Sequence, residues 1–303
     1  MSNILLAVVC LALGKLLQNV RQFPETSAQA LNAYVIYVAL PALILVQMSR
    51  LTLRTDLLIP VAAAWWVMLS SAGITWLLAR RFQWPPMITG ALLLVITLGN
   101  TSFIGYPLID AHLGPQALPF AILYDQLGTF LALNTLGIAI ASHYSPTTHA
   151  QAEPLWRKIL KFPPFMALPV GLILGMVDMP GIITTVLQRM ADTLVPVVMV
   201  AVGLQWRLRI ERKEYKVVVF ALVFILLCKP LLAGLFLSVF TLDPLLVKTT
   251  LLEAAMPAMI STGALALSYQ LAPRLVSTII GYSLILSFVT VWLWRLAIDL
   301  VVG

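Results

Sequence analysis

Residues 96–108 read ITLGNTSFIGYPL. The stretch sits inside an apolar run long enough to cross a bilayer, yet it carries Gly99, Asn100, Gly105 and Pro107. Glycine loosens a helix, and proline lacks the N–H that would continue it. Lipid offers an unpaired amide no partner, so a break at that depth survives only buried in protein or lining a water-filled cavity. The first expectation is an interrupted membrane helix whose interruption has a use.

Composition fixes the class around it. Hydrophobic residues make up 61% of the 303 and charged residues 10%, against roughly 25% charged in a soluble domain; the mean hydropathy is +0.98. About 20 residues at 1.5 Å each cross the roughly 30 Å of hydrocarbon. Ten spans are expected, near 3–20, 28–49, 57–79, 87–111, 116–142, 163–178, 182–206, 216–240, 245–269 and 272–299. The opening MSNILLAVVCLALGK lacks the basic start and cleavage site of a signal peptide and reads as the first span. Cys10 and Cys228, far apart in apolar segments, read as free thiols.

The net charge of +7 does not point to nucleic acid, because the basic residues fall in short loops between spans. Lys15, Arg21, Arg80, Arg81, Arg157, Lys158, Lys161, Arg207, Arg209, Arg212, Lys213, Lys216 and Arg274 occupy one set of alternate loops and span ends. The positive-inside rule makes that side cytoplasmic and puts both termini outside, in a multi-pass protein of the inner membrane. A hydrophilic linker, 143–162, runs into the amphipathic PLWRKILKF of an interfacial helix.

The two halves of the chain match. Pro41 faces Pro196 at an offset of 155. One ungapped offset of 158 aligns Gly99 with Pro257, Gly105 with Gly263, Pro115 with Pro273 and Tyr124 with Tyr282. Each half, 1–142 and 163–303, holds five spans, and an odd number makes the second half enter the membrane upside down. This is the inverted repeat of secondary transporters. The stretch quoted first has a partner in EAAMPAMISTGAL, 253–265. A lone Gly or Pro in a membrane helix usually only kinks or packs it. A matched pair of breaks points instead to two discontinuous helices meeting near the midplane, whose freed N–H groups and half-helix N-termini suit an anion. Asn100, Thr101, Ser261 and Thr262 add side-chain hydrogen bonds.

LGNTSFIGYPLI closely resembles the glycine–asparagine motif of the auxin efflux carrier family. LNAYVIYVALPALIL resembles that family's second helix and AAMPAMISTGALALSYQ its ninth, and the resemblance covers essentially the whole chain. It implies an all-α membrane fold of two domains with elevator-like transport. Helices one, two, six and seven form a scaffold, helices three to five and eight to ten a transport unit, and crossed, broken helices four and nine hold an organic anion. It carries a site over onto Asn100 and Pro257, with Gly99, Thr101, Ala258, Ser261 and Thr262 around them, and by resemblance alone it implies a homodimer. The chain departs from the plant exporters in having Gly99 where they have proline and Ala258 where they have glutamine. It also lacks an acidic–basic pair one turn apart in its third span, DLLIPVAAAWWVMLSSAGITWLL. A small carboxylate is therefore the expected substrate rather than indole-acetate.

Three ionisable side chains fall deep in the spans, where each costs about 2.5–3.5 kcal/mol on insertion scales. Asp125 either carries a coupling proton or cation, or hydrogen-bonds the freed N–H groups. Glu253, four residues before Pro257, is a proton carrier or a capping and pairing group. Lys229 attracts the anion or pairs with Glu253 or Asp125, pairing being the plainer account. Arg189 and Asp192 are expected to form a local ion pair. No HExxH, CxxC or intramembrane histidine cluster offers a metal site, no GxxxxGK[ST] loop a nucleotide site, and no nucleophile–base set an enzyme's centre. No cofactor is expected, and protons, sodium or the substrate gradient alone remain the driving forces to distinguish. The rival transport reading, a cation-coupled bile-acid-type symporter or a proton/cation antiporter, would be favoured by several carboxylates at the crossing; the chain offers Asp125 and Glu253.

Overall fold

A computed structural model describes residues 2–24, 26–52, 54–146, 154–177, 179–205 and 214–302. The centre of the hydrophilic linker and the basic run with Arg207, Arg209, Arg212 and Lys213 lie outside the described residues. Among those described, every regular element is helical, and the only extended pairing is a single antiparallel bridge between Gly99 and Ala258. Five helical stretches are long and apolar enough to cross a membrane: Ser27–Ser49, Thr55–Arg81, Gly181–Gln205, Tyr215–Leu237 and Pro273–Leu300. Leu5–Leu17, Pro86–Thr97 and Pro163–Leu174 are shorter apolar helices. The quoted stretch divides its segment into Pro86–Thr97 and Tyr106–Leu113, and its partner divides another into Pro244–Ala254 and Ile260–Ser268. Large apolar side chains such as Leu77, Ile182, Leu267 and Leu300 are exposed, as the outer face of a membrane protein requires.

Prolines shape these helices in two ways. At the first position, where an N–H would be unbonded anyway, Pro86, Pro163 and Pro244 open helices. Asp243 caps the last of these, accepting from the Leu245 and Leu246 amides at 2.8 and 3.4 Å. Inside a run, proline widens the turn before it. The π-helical turns Val35–Ala39, Thr101–Gly105 and Phe224–Cys228 each end two residues short of a proline, namely Pro41, Pro107 and Pro230. The proline ring crowds the carbonyl four residues back and cannot bond to it, so a wider turn relieves the clash. For Pro230 that carbonyl is Leu226, and the Trp294 indole donates to it at 2.8 Å.

Packing divides the chain into two compact units. The first comprises Met1–Thr55, Tyr106–Ile122 and Glu153–Trp206. Within it the Ser2–Leu17 helix lies against Leu194–Gln205, and Pro163–Leu174 against Leu40–Ser49. Gly14 and Gly203 face each other across the first of these contacts. A methyl group on Gly14 would stand 2.3 Å from the Val200 carbonyl oxygen, and one on Gly203 2.3 Å from that of Leu11. Small residues let membrane helices meet backbone to backbone, where dispersion and not water drives association.

The second unit comprises Asp56–Gly105, Leu123–Ala152 and Arg207–Gly303. Its apolar core gathers Leu92, Leu94, Ile96, Ile225, Val276 and Ile279. Trp65 donates to the Leu127 carbonyl and Trp66 to that of Leu232, at 3.0 and 3.2 Å.

Candidate functional site: the crossing of two interrupted helices

The two breaks meet inside the second unit. The Pro86–Thr97 helix gives way at Leu98 to extended backbone (φ −97°, ψ 114°), and Met259 is likewise extended (φ −68°, ψ 129°) before the Ile260–Ser268 helix. The Asn100 amide donates to the Pro257 carbonyl at 2.8 Å, and the Met259 amide to the Leu98 carbonyl at 3.0 Å. The Ala258 amide donates to the Ser283 hydroxyl at 3.2 Å. Pro257, with no N–H to donate, still supplies its carbonyl. The interruptions thus satisfy each other's backbone, as burial in hydrocarbon demands. Of the amides at the breaks, those of Asn100, Ala258 and Met259 are engaged within the protein.

Asn100 is 3% exposed, and its Nδ2 has no hydrogen-bond partner among the described residues. Asp125 sits on the π-helical turn Tyr124–Phe130. The Thr101 hydroxyl donates to its Oδ1 at 2.5 Å, and Gln126 Nε2 donates to its Oδ2 at 2.7 Å. The carboxylate therefore tethers the turn that follows the first break through Thr101, while Gln126, a residue not among the sequence-based candidates, holds its other oxygen. Ser283 was also passed over. Both are neutral polar residues in apolar runs and carry no charge to announce them.

Glu253 is fully buried, and neither carboxylate oxygen has a hydrogen-bond partner among the described residues. Its head group lies on Gly105, where a methyl group would stand 2.7 and 2.9 Å from the two oxygens. Lys229 is 2% exposed and follows the Phe224–Cys228 π turn directly. Its ammonium lies beside Gly99, where a methyl group would stand 3.1 Å from Nζ. The expected pairing of Lys229 with Glu253 or Asp125 is not formed among the described residues. Each glycine of the quoted stretch instead makes room for one charged head group.

Thr262 donates its hydroxyl to the Met259 carbonyl at 2.6 Å, and Ser261 is exposed. The structure therefore brings Gly99, Asn100 and Thr101 together with Pro257 and Ala258, sets Asp125, Lys229 and Glu253 around them, and leaves Ser261 apart. In the first unit Asp192 accepts from Gln188, one helical turn before it, at 2.8 Å. Arg189 lines a concavity of about 380 Å³ with Arg50, Thr184 and Thr185, and the expected Arg189–Asp192 pair is not formed among the described residues.

Helices of membrane-crossing length, one compact unit of which buries two mutually paired breaks beside charged side chains, describe a membrane transport protein. The family described as "Membrane transport protein" matches residues 1–295. The chain belongs to that family, the auxin efflux carriers its motifs resemble. It is similar to an uncharacterized transporter of Methanothermobacter thermautotrophicus, 32% identical over 300 residues, covering 98% of this chain and 97% of the relative. It is also similar to an uncharacterized transporter of Methanocaldococcus jannaschii, 26% identical over 308 residues, with 97% of each chain covered. The chain is a transporter and not an enzyme.

Proposed function

We propose that this protein is a secondary carrier of small organic anions, carboxylates above all, working by elevator-type alternating access. The observation that carries the reading is the crossing itself: two breaks bonded to each other through Asn100, Pro257, Leu98 and Met259, with the Asn100 side-chain amide unpartnered and Lys229 alongside. A donor-rich, water-excluded point in an otherwise apolar unit suits an anionic group. Ten spans in two inverted five-span repeats accommodate this, supported by the single offset of 158 that aligns the two breaks. The unit bearing the crossing would carry substrate, and the unit with the Gly14–Gly203 contact would serve as the fixed scaffold and dimer surface. The charge distribution of the loops supports insertion in the inner membrane with both termini outside.

The test is uptake of labelled mono- and dicarboxylates into proteoliposomes, with and without imposed proton and sodium gradients. Saturable uptake is expected, lowered about tenfold by Asn100→Ala, the loss of roughly one or two hydrogen bonds to a charged group. Normal uptake by a well-folded Asn100→Ala protein removes the crossing as the site. Saturable uptake of no carboxylate removes the anion.

A further inference from the structure

The quoted stretch has two glycines six positions apart, and each is met by an ionisable head group from the C-terminal half of the chain. Gly99 meets the Lys229 ammonium, and Gly105 meets the Glu253 carboxylate. Both side chains are at least 98% buried; neither Glu253 oxygen has a hydrogen-bond partner, and no ion pair joins the two residues among those described. Opposite charges buried in one unit would ordinarily pair, because an unpaired buried charge is strongly destabilising. Along the chain the Thr101–Gly105 turn, closed by the Gly105 amide donating to the Asn100 carbonyl at 3.0 Å, leads from the glycine that meets Lys229 to the one that meets Glu253. The other ionisable groups within electrostatic reach of Glu253 are Tyr124 and Asp125, and Asp125 is already bonded to Thr101 and Gln126.

The geometry points to a substrate that itself bridges the two head groups: a monocarboxylate bearing a hydrogen-bond donor, ammonium or hydroxyl, a few carbons from its carboxylate. The inference rests on the anion reading above and narrows it. Lys229 receives the carboxylate beside Gly99, assisted by the Asn100 amide, and Glu253 accepts from the donor beside Gly105. Gly99 and Gly105 lie six positions apart, separated by the end of the break and a single π-helical turn, so the ligand that meets both head groups is a short amino or hydroxy acid. A dicarboxylate presents its second negative charge to the Glu253 carboxylate and is rejected by repulsion. Gly99 and Gly105 are glycines because a side chain at either would fill the approach to these head groups.

The experiment compares labelled lactate and alanine with malonate and succinate in proteoliposomes, and the first two distinguish a hydroxyl donor from an ammonium. Wild-type protein is expected to take up at least one of the monocarboxylates with a KM at least tenfold below that for either dicarboxylate. Lys229→Met raises that KM at least tenfold while its melting temperature in detergent holds or rises, a split that a merely structural lysine would not give. Lys229→Arg restores most of the affinity. Glu253→Gln shrinks the preference against dicarboxylates at least tenfold, and this variant carries the test alone where Lys229→Met does not fold. A wild-type preference for dicarboxylates, an unchanged KM in folded Lys229→Met, or an unchanged preference in folded Glu253→Gln overturns the inference. Uptake of dicarboxylates alone that is still lost in Asn100→Ala overturns it while leaving the anion reading intact. Uptake of none of the four probes by folded protein removes both.

Discussion

The two units bury different things. Gln47 is the buried polar side chain of the first unit among the described residues, whereas Ser71, Thr97, Asn100, Asp125, Lys229, Glu253 and the other buried polar groups all belong to the second. The first unit is joined by backbone-to-backbone contact at Gly14 and Gly203, with Gln18 Nε2 donating to the Gly203 and Leu204 carbonyls at 3.0 and 2.9 Å. The second has hydroxyls, the Asn100 and Gln126 side-chain amides and the Glu253 carboxyl with hydrogen-bonding capacity that no described residue uses. Unused capacity at depth lowers stability. The difference separates a region held by close backbone packing from one that buries polar groups, which the proposed function assigns to a ligand.

The comparison breaks most visibly at Gly14. Gly14→Leu pushes a side chain into the Val200 carbonyl and is expected to lower stability by about 3 kcal/mol or more, read as thermal unfolding in detergent. Gly73→Leu in the second unit, where a methyl group meets nothing within 4 Å, should leave the melting temperature in place; equal losses would show that the close approach is not special. Gly105→Ala comes next. It displaces the Glu253 head group, and the expected outcome is roughly tenfold slower uptake with only about 1 kcal/mol of stability lost. Trp294→Phe removes one hydrogen bond to the carbonyl stranded by Pro230, worth about 1 kcal/mol; no change in unfolding would mean that the widened turn satisfies Leu226 without the indole. The smallest effect is that of Thr75→Val. Its buried hydroxyl has no partner among the described residues, so stability should stay within about 0.5 kcal/mol or rise, and a clear loss would show that this hydroxyl is bonded in the membrane.

The crossing was legible in the sequence because its signals are local. Glycine and proline mark a break wherever they fall, and one offset laid Gly99 on Pro257. The depth of Asp125, Lys229 and Glu253 was legible for the same reason, since charge within an apolar run is conspicuous. Their partners were not legible. Asp125 stands on one π-helical turn and Lys229 directly after another, and each such turn inserts a residue and rotates everything beyond it, so 3.6-residue spacing no longer tells which side chain faces which. The same limit explains why Lys229 was expected to pair with a carboxylate and instead reaches Gly99. Ser261 and Thr262 part for a different reason: in the Ile260–Ser268 helix Ser261 is exposed, while Thr262 is buried and bonds its own backbone.

The two hydrogen bonds that close the crossing join residues about 160 positions apart in the chain. The ribosome delivers Leu98 and Asn100 long before Pro257 and Met259 exist. At about 5–20 residues per second, the wait is roughly 10–30 s, during which the first break has no bonding partner from the second. Something other than its final neighbour must shelter that stretch during synthesis, whether water at the mouth of the insertion machinery or delayed entry into the lipid. A nascent chain truncated before residue 257 should accordingly leave residues 98–100 open to a water-borne thiol reagent at an introduced cysteine, and the completed chain should close them.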